Sequence, residues 1–320
     1  MTTITAAGTG DWSNVATWNG GVVPAGANVA DANGFNVTLD VDLTGGSSLT
    51  RIQATTGTYI VPAATTRTVT CDVTYNGTST AGMISLGTGR NLTVTGASSN
   101  TSSGYCYVVN GAGNTLTLTG AVNNSGSGRA VSSTGGNSQI VIVNGDVGNT
   151  STGIAMLLVS AAGSSITGNV SSSISSGNAI YTNGGTGTLT LTGNVSCTNG
   201  GNVLNLVAGT LNWTGASTLA ASTDCSIQIN GGTLNLTGLS LANSGNLAIR
   251  KLSGTLTQGT GVVTNQIAAA QAVAINGTLT VVGPTLPAAT DVRIGSATYG
   301  NPASPVTPTM QGEGPFGGPF

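Results

Sequence analysis

One short phrase recurs along most of the chain and constrains its fold more than any other feature. The phrase is Gly-Thr-Leu-Thr-Leu-Thr-Gly or a close variant, and its copies start 22 to 26 residues apart. A unit of that length is too short to fold alone, so each copy is predicted to be one rung of a solenoid. The first core-type aliphatic residues of the copies are Val69, Leu92, Leu116, Ile140, Ile166, Leu189, Leu211, Leu234, Leu256 and Leu279.

Each rung contains more than one strand signal. Within the phrase, aliphatic and hydroxyl residues alternate, which is typical of a half-buried strand. A second apolar run follows at a similar spacing, and a third strand is plausible around Val122, Val147, Val170 and Val195. We therefore predict an all-β chain that folds as a right-handed parallel β-helix of about ten rungs. The second run is marked by Ile84, Tyr107, Val131, Met156, Ile180, Leu204, Ile227, Ile249 and Val273.

The N-terminal segment, residues 1–50, departs from the repeat, whereas residues 51–283 are predicted to form the solenoid. The open strand edge at the end of a solenoid needs a cap. The segment contains two of the three tryptophans, Trp12 and Trp18. We expect these rings to cover the first rung. The alternative is an aromatic platform that binds a sugar or another partner.

The C-terminal segment, residues 284–320, holds seven of the nine prolines and cannot continue a ladder. We predict an extended arm that docks on a partner, with Phe316 and Phe320 as anchors beside Pro315 and Pro319. The alternative is a passive tail whose aromatic residues are incidental.

Composition excludes several classes of function. Only 5% of the residues are charged and the formal net charge is −2, so no basic stripe exists for nucleic acid. We also expect no membrane span, because no window of 18 apolar residues occurs, and no signal peptide in the chain as written.

The residues that usually carry catalysis are few and scattered. Histidine is absent, which removes the commonest general base and metal ligand. Asp40, Asp42 and Asp72 form the one candidate carboxylate cluster, and exposed charges that protect strand edges explain them more simply. We predict that the chain is not an enzyme and has no catalytic, cofactor-binding or metal-binding residues.

The four cysteines are Cys71, Cys106, Cys197 and Cys225. They form no CxxC pair and are assigned to four different rungs, so free thiols are predicted and an intermolecular bridge is the alternative. Cys71 is assigned to the inward position that Val94 and Leu118 occupy in later rungs.

The outward hydroxyls of the repeat form a candidate binding surface. Thr93 and Thr95 with their counterparts Thr117, Thr119, Thr190 and Thr192 would make a flat lattice of methyl and hydroxyl groups, of the kind that binds ice. We expect the lattice to be interrupted by Val141, Val143, Asn212 and Asn235. The same neutral face would equally suit packing against another subunit, and a trimer is the expected oligomer.

The N-terminal phrase resembles a known group of proteins. Gly10-Asp11-Trp12-Ser13, Thr17-Trp18-Asn19-Gly20-Gly21, Pro24-Ala25-Gly26 and Asn36-Val37-Thr38-Leu39-Asp40 are similar to the opening of β-helical proteins of tailed phages and bacterial surfaces, over roughly residues 8 to 45. The resemblance implies a virion component, a capsid decoration (cement) protein, with a head fibre or tail protein as the alternative. Its partners would be other subunits and a capsid or tail protein.

A different class of function stays open beside the virion component. It is a module that binds ice or a glycan. If it binds a glycan, the expected ligand is a glycan of the host surface. The predicted location is the virion, with an extracellular or cell-surface location as the alternative.

Overall fold

The computed structural model describes residues 2–47, 49–134, 139–158, 163–173, 178–183, 187–198, 203–219, 225–243, 247–251, 255–258, 271–275, 279–281 and 292–294. Within these ranges the chain forms 32 strands and three short 3-10 helices, Val15–Thr17, Asn19–Gly21 and Gly45–Ser47, and no α-helix.

The strands, numbered in chain order, are short. The first eleven are β1 (Thr3–Thr5), β2 (Gly10–Asp11), β3 (Val29–Asp31), β4 (Asn36–Thr38), β5 (Arg51–Ala54), β6 (Thr58–Ile60), β7 (Thr66–Val69), β8 (Asp72–Tyr75), β9 (Ile84–Leu86), β10 (Asn91–Thr95) and β11 (Ser98–Asn100). The next eleven are β12 (Tyr105–Val109), β13 (Thr115–Thr119), β14 (Val122–Asn124), β15 (Arg129–Ser133), β16 (Ile140–Asn144), β17 (Val147–Asn149), β18 (Ile154–Leu158), β19 (Ser164–Thr167), β20 (Val170–Ser172), β21 (Ile180–Thr182) and β22 (Thr188–Thr192). The last ten are β23 (Val195–Cys197), β24 (Leu204–Leu206), β25 (Thr210–Leu219), β26 (Cys225–Ile229), β27 (Thr233–Asn243), β28 (Leu247–Lys251), β29 (Thr255–Gln258), β30 (Gln271–Ile275), β31 (Leu279–Val281) and β32 (Val292–Ile294).

The strands stack in three parallel ladders, which we call faces 1, 2 and 3. Face 3 is a sheet of thirteen strands, and faces 1 and 2 form one sheet of nineteen because β25 and β27 each run through both. The predicted all-β parallel solenoid is therefore confirmed, and the count of about ten rungs is approximate. Face 1 contains β7, β10, β13, β16, β19, β22, β29, β31 and the first halves of β25 and β27; face 2 contains β1, β3, β5, β8, β11, β14, β17, β20, β23 and the second halves of β25 and β27.

One passage of the chain through the three faces is one rung, which we call a coil. Each paired residue lies over its equivalent in the neighbouring coil. On face 3, the nine residues predicted to mark the second strand fall in one register column, from Ile84 through Tyr107 to Val273. The strands predicted around Val122, Val147, Val170 and Val195 are also confirmed, as β14, β17, β20 and β23 of face 2.

Three of the aliphatic residues predicted to share one inward column of face 1 lie in other columns. Leu116 pairs with Leu92 and Val141, so Ile140 lies in an outward column instead. Val69 pairs with Val94, and Ile166 pairs with Val143, so both belong to the second inward column. The prediction that Cys71 shares the position of Val94 was wrong for the same reason.

Glycine ends the repeated phrase because the chain turns a tight corner there. Gly168 and Gly193 have φ values of +155° and +153°, a region that residues with a side chain rarely adopt. A Cβ on Gly193 would collide with the carbonyl oxygen of Gly168 in the preceding coil. The corner glycines therefore stack directly on one another.

A ladder of buried asparagines lines the corner between faces 2 and 3. Asn100 Nδ2 donates to Asn124 Oδ1 at 2.8 Å, and Asn124 Nδ2 donates to Asn149 Oδ1 at 3.0 Å. Asn124 and Asn149 also donate to backbone carbonyl oxygens, those of Gly126 and Gly153. Because all three side chains are buried, these bonds offset the loss of water and hold three coils in register.

Replacing the central member of the asparagine ladder should destabilise the solenoid. In Asn124→Ala, Asn100 loses an acceptor, Asn149 loses a donor and the Gly126 carbonyl loses its side-chain partner. Each buried group left unpaired costs about 1–3 kcal/mol, so we expect the free energy of unfolding to fall by roughly 2–4 kcal/mol. Chemical denaturation followed by circular dichroism measures the change.

The matched control is Asn123→Ala, one residue away on the outward, exposed side of the same strand. We expect that control to stay within about 0.5 kcal/mol of the wild type. Equal losses in the two variants would contradict a role for the ladder.

Candidate functional surface

The two N-terminal tryptophans lie in the core and not on the surface. Trp12 is 1% exposed and Trp18 is 2% exposed. Their rings meet edge to face with centroids 4.8 Å apart, and Trp18 Nε1 donates to the Trp12 carbonyl oxygen at 2.8 Å. Trp12 also lies 6.0 Å from the Tyr59 ring of a later coil. The prediction that Trp12 and Trp18 contact a partner needs exposed rings, and here the rings fill the N-terminal end of the core instead.

The other predicted partner-binding residues, Pro315, Phe316, Pro319 and Phe320, lie outside the described residues. Partner binding by the C-terminal arm stays a prediction.

Each carboxylate of the candidate acidic cluster caps a backbone N–H of a neighbouring coil. Asp40 accepts from the Ser13 N–H at 3.0 Å and also from its hydroxyl. Asp42 accepts from the Thr68 N–H at 2.9 Å, and Asp72 accepts from the Ala97 N–H at 2.9 Å. The three carboxylates accept hydrogen bonds from three different coils, so each has a structural role in the fold. Within the described part of the chain, no three His, Cys, Asp or Glu side chains are grouped as a metal site.

The described thiols and the largest phenols are buried. Cys71 and Cys106 are free and buried, whereas the side chains of Cys197 and Cys225 lie outside the described part. Burial raises the pKa of Cys71 to about 12 and also raises the pKa of Cys106. Burial likewise raises the pKa values of Tyr59 and Tyr107 well above the ordinary value. A protonated, buried thiol is a poor nucleophile, so these cysteines act as small core residues.

The outward side of face 1 is an uncharged surface that is wider than that of face 2. We call it the threonine face and define it by the outward residues of β10, β13, β16, β19, β22 and the first halves of β25 and β27. Its strands are four or five residues long in β10 to β22, which gives up to three outward columns, whereas the strands of face 2 in the same coils have three residues and one outward column. The outward residues are Asn91, Thr93, Thr95, Thr115, Thr117, Thr119, Ile140, Ile142, Asn144, Ser165, Thr167, Thr188, Thr190, Thr192, Thr210, Asn212, Thr214, Thr233 and Asn235.

The apolar interruption of this face differs from the predicted one. Val141 and Val143 were expected to face outward, but they pair with the inward Leu116 and Leu118 and are buried. The outward residues of β16 are Ile140, Ile142 and Asn144. The predicted interruptions at Asn212 and Asn235 are confirmed, and Asn235 Nδ2 donates to Asn212 Oδ1 at 2.8 Å.

Sequence reasoning missed the asparagine ladder, although a signal was present. Asn100, Asn124 and Asn149 each lie two residues after Ser98, Val122 and Val147, which share one register column. A polar residue recurring at an inward position of successive rungs predicts a side-chain ladder, because buried polar groups need partners.

The comparisons with known proteins identify no relative. No protein-family model, curated protein or solved structure matches the chain. No helix among the described residues is long and apolar enough to span a membrane.

The buried thiols and phenols predict loss of stability in alkali. Because their pKa values are raised in the folded state, the folded chain keeps protons that the unfolded chain releases above about pH 9 for cysteine and about pH 10 for tyrosine. Stability should be level up to about pH 8 and fall as the pH rises further, by up to about 1.4 kcal/mol per pH unit for each group. Denaturation series at a set of pH values measure this slope.

Cys106→Ala is a conservative variant for this test, because Ala130 occupies the equivalent position in the next coil. The variant should keep the fold, and its stability should fall less steeply with pH than that of the wild type between pH 9 and pH 10. In that range the unfolded chain has begun to release its thiol protons and still keeps most of its phenol protons. An unchanged slope in the variant, or a wild-type profile that is flat to pH 11, would count against burial of the protonated thiol.

Proposed function

We propose that this chain is a non-catalytic structural component of a phage particle, a capsid decoration protein that presents its solenoid on the particle surface. The observation that carries the non-catalytic part is the use of reactive groups within the fold. The described carboxylates of Asp40, Asp42 and Asp72 cap backbone N–H groups, and the described thiols are buried.

The assignment to a particle is supported by the N-terminal phrase and by the flat, uncharged threonine face. The phrase around Trp12 and Trp18 resembles the opening of phage β-helical proteins. In the structure both of its tryptophan rings are buried and pack against each other at the N-terminal end of the core. A parallel solenoid exposes large flat faces whose spacing is set by backbone hydrogen bonds. Such faces suit a protein that coats a regular surface.

Fractionation of a producing culture tests the proposal. The protein should sediment with intact particles on a density gradient and be present at high copy number by quantitative mass spectrometry. One complex per particle in negative-stain images would favour a fibre or tail protein instead. Recovery of the protein only from the secreted fraction of the host, with none on particles, would contradict both virion roles.

A second candidate function, binding of ice or of a neutral glycan, is favoured by the hydroxyl columns of the threonine face. Thr93, Thr117 and Thr190 lie in one outward column of regular spacing. Thermal hysteresis of the purified protein or a hit on a glycan array would support this candidate. Absence of both signals would leave the structural proposal alone.

The C-terminal arm provides a separable test of attachment. Deleting residues 301–320 should leave the unfolding temperature nearly unchanged, because a segment so rich in proline cannot continue the ladder of the solenoid. We expect the deletion to abolish incorporation into particles, because the arm offers two aromatic anchors on a proline-rich segment. Occupancy per particle is the measurement.

Point variants sharpen the test of the arm. The double variant Phe316→Ala with Phe320→Ala should lose occupancy, whereas Val306→Ala in the same arm should not. Normal occupancy of the truncated chain would show that the arm is a passive tail.

A further inference from the structure

The threonine face contains an apolar centre that its hydroxyl columns do not explain. Ile140 and Ile142 face outward from β16 and are half-buried, with two strands of the face on one side and four on the other. Thr117 in the preceding coil and Ser165 in the following coil flank Ile142 in its column. The isoleucines break a lattice of hydroxyls, which weakens the case for ice. An apolar centre with a polar rim is instead the usual arrangement of a protein interface.

The charged residues of the described solenoid lie outside the outward positions of this face, and Arg90 adjoins it, directly before Asn91. The outward positions of the threonine face include no Asp, Glu, Lys or Arg. Face 3 carries Arg129, which lies 4.7 Å over the Tyr105 ring. Asp72 is the first residue of β8 on face 2, and Asp146 lies directly before β17. A neutral face packed on an identical neutral face buries no charge and brings no like charges together.

The size of the face also fits a second copy. Seven strands at about 4.8 Å and five residues at about 3.3 Å give roughly 34 Å by 16 Å. Two such faces would bury about 1,100 Å² in all, close to the lower limit of about 1,200 Å² for a stable interface. An interface of this size is typical of weak or transient association, so we expect a reversible pair.

We infer that the threonine face is a self-association surface, and that its occupant is the threonine face of a second copy of this chain. In a two-fold pair the same patch lies on both partners. Any two-fold axis that lies in the plane of the interface and passes through Ile142 places Ile142 against its own counterpart. This inference goes beyond the proposed function and does not depend on attachment to a particle.

Sedimentation velocity of the full-length chain between about 1 and 100 µM measures the pairing. We expect a monomer–dimer equilibrium in the wild type, in place of the trimer expected from the sequence alone. Thr117→Lys should raise the dissociation constant at least tenfold, because it places like charges across the pair. Asn123→Lys is the matched control, since it adds the same charge to face 2 of the same coil, and should change the constant less than twofold. Thr190→Lys repeats the test at a second position on the threonine face if Thr117→Lys unfolds.

Ile142→Thr separates self-association from ice or glycan binding. The variant removes the apolar centre and extends the hydroxyl column, so pairing should weaken while any ice affinity would rise. Ile142→Cys should form a disulfide-linked dimer under mild oxidation, with the wild-type chain treated alike as the background for native cysteines.

Several outcomes would overturn the inference. They are a wild-type monomer at about 100 µM, a trimer, equal effects of Thr117→Lys and Asn123→Lys, or thermal hysteresis that rises in Ile142→Thr while the oligomeric state stays unchanged. Each is distinguishable from failure of the particle assignment, because none of these measurements uses particles.

Discussion

The whole structure depends on the parallel stacking of each coil on the next, with every residue over its equivalent. Backbone hydrogen bonds join equivalent positions, so a side chain that suits one coil is reinforced by the same type in the next. The consequences differ by position. Inward columns of Leu, Ile and Val make the core, corner glycines allow coils to approach, and inward asparagines satisfy one another. Where a side chain differs from the others in its column, residues of the same coil or of the neighbouring coil compensate for the difference.

Two exceptions show how substitutions in a column are compensated. Ser98 takes the place that valine holds at Val73 and Val122, and its hydroxyl lies 2.8 Å from the buried Tyr107 hydroxyl. Arg67 occupies the position of Leu92, and its guanidinium donates to the carbonyl oxygens of Leu39 and Asp40, both at 2.8 Å. There the preceding coil pairs with β7 only through a single bridge at Leu43, so Arg67 satisfies backbone groups that a strand would otherwise pair. Reactive side chains are therefore engaged in holding the coils, which is why the proposed function is structural.

Sequence periodicity predicted the solenoid and the whole Ile84 column of face 3, because every member of that column is an apolar or aromatic residue at a regular spacing. It failed at β16, where Ile-Val-Ile-Val is aliphatic on both sides and alternation gives no phase. The neighbouring coils set the register of β16. The prediction placed Val141 and Val143 on the surface, whereas Ile140 and Ile142 are the residues that face outward. Burial of Trp12 and Trp18 was the favoured expectation, whereas the asparagine ladder was missed because polar residues at inward positions look like turns in a single sequence.

The most direct test of the account is the register itself, measured with paired cysteines on face 1. Thr117 and Ile142 are partners in adjacent coils, whereas Thr93 and Ile142 are two coils apart in the same column. Adjacent partners about 4.8 Å apart are within the Cα range for a disulfide, and residues about 9.6 Å apart are not. At nanomolar dilution, oxidation should close an intramolecular disulfide in Thr117→Cys with Ile142→Cys, seen as the loss of two hydrogens by intact mass. Closure in Thr93→Cys with Ile142→Cys instead, or in neither pair, would contradict the stacking on which the core, the corners and the threonine face all depend.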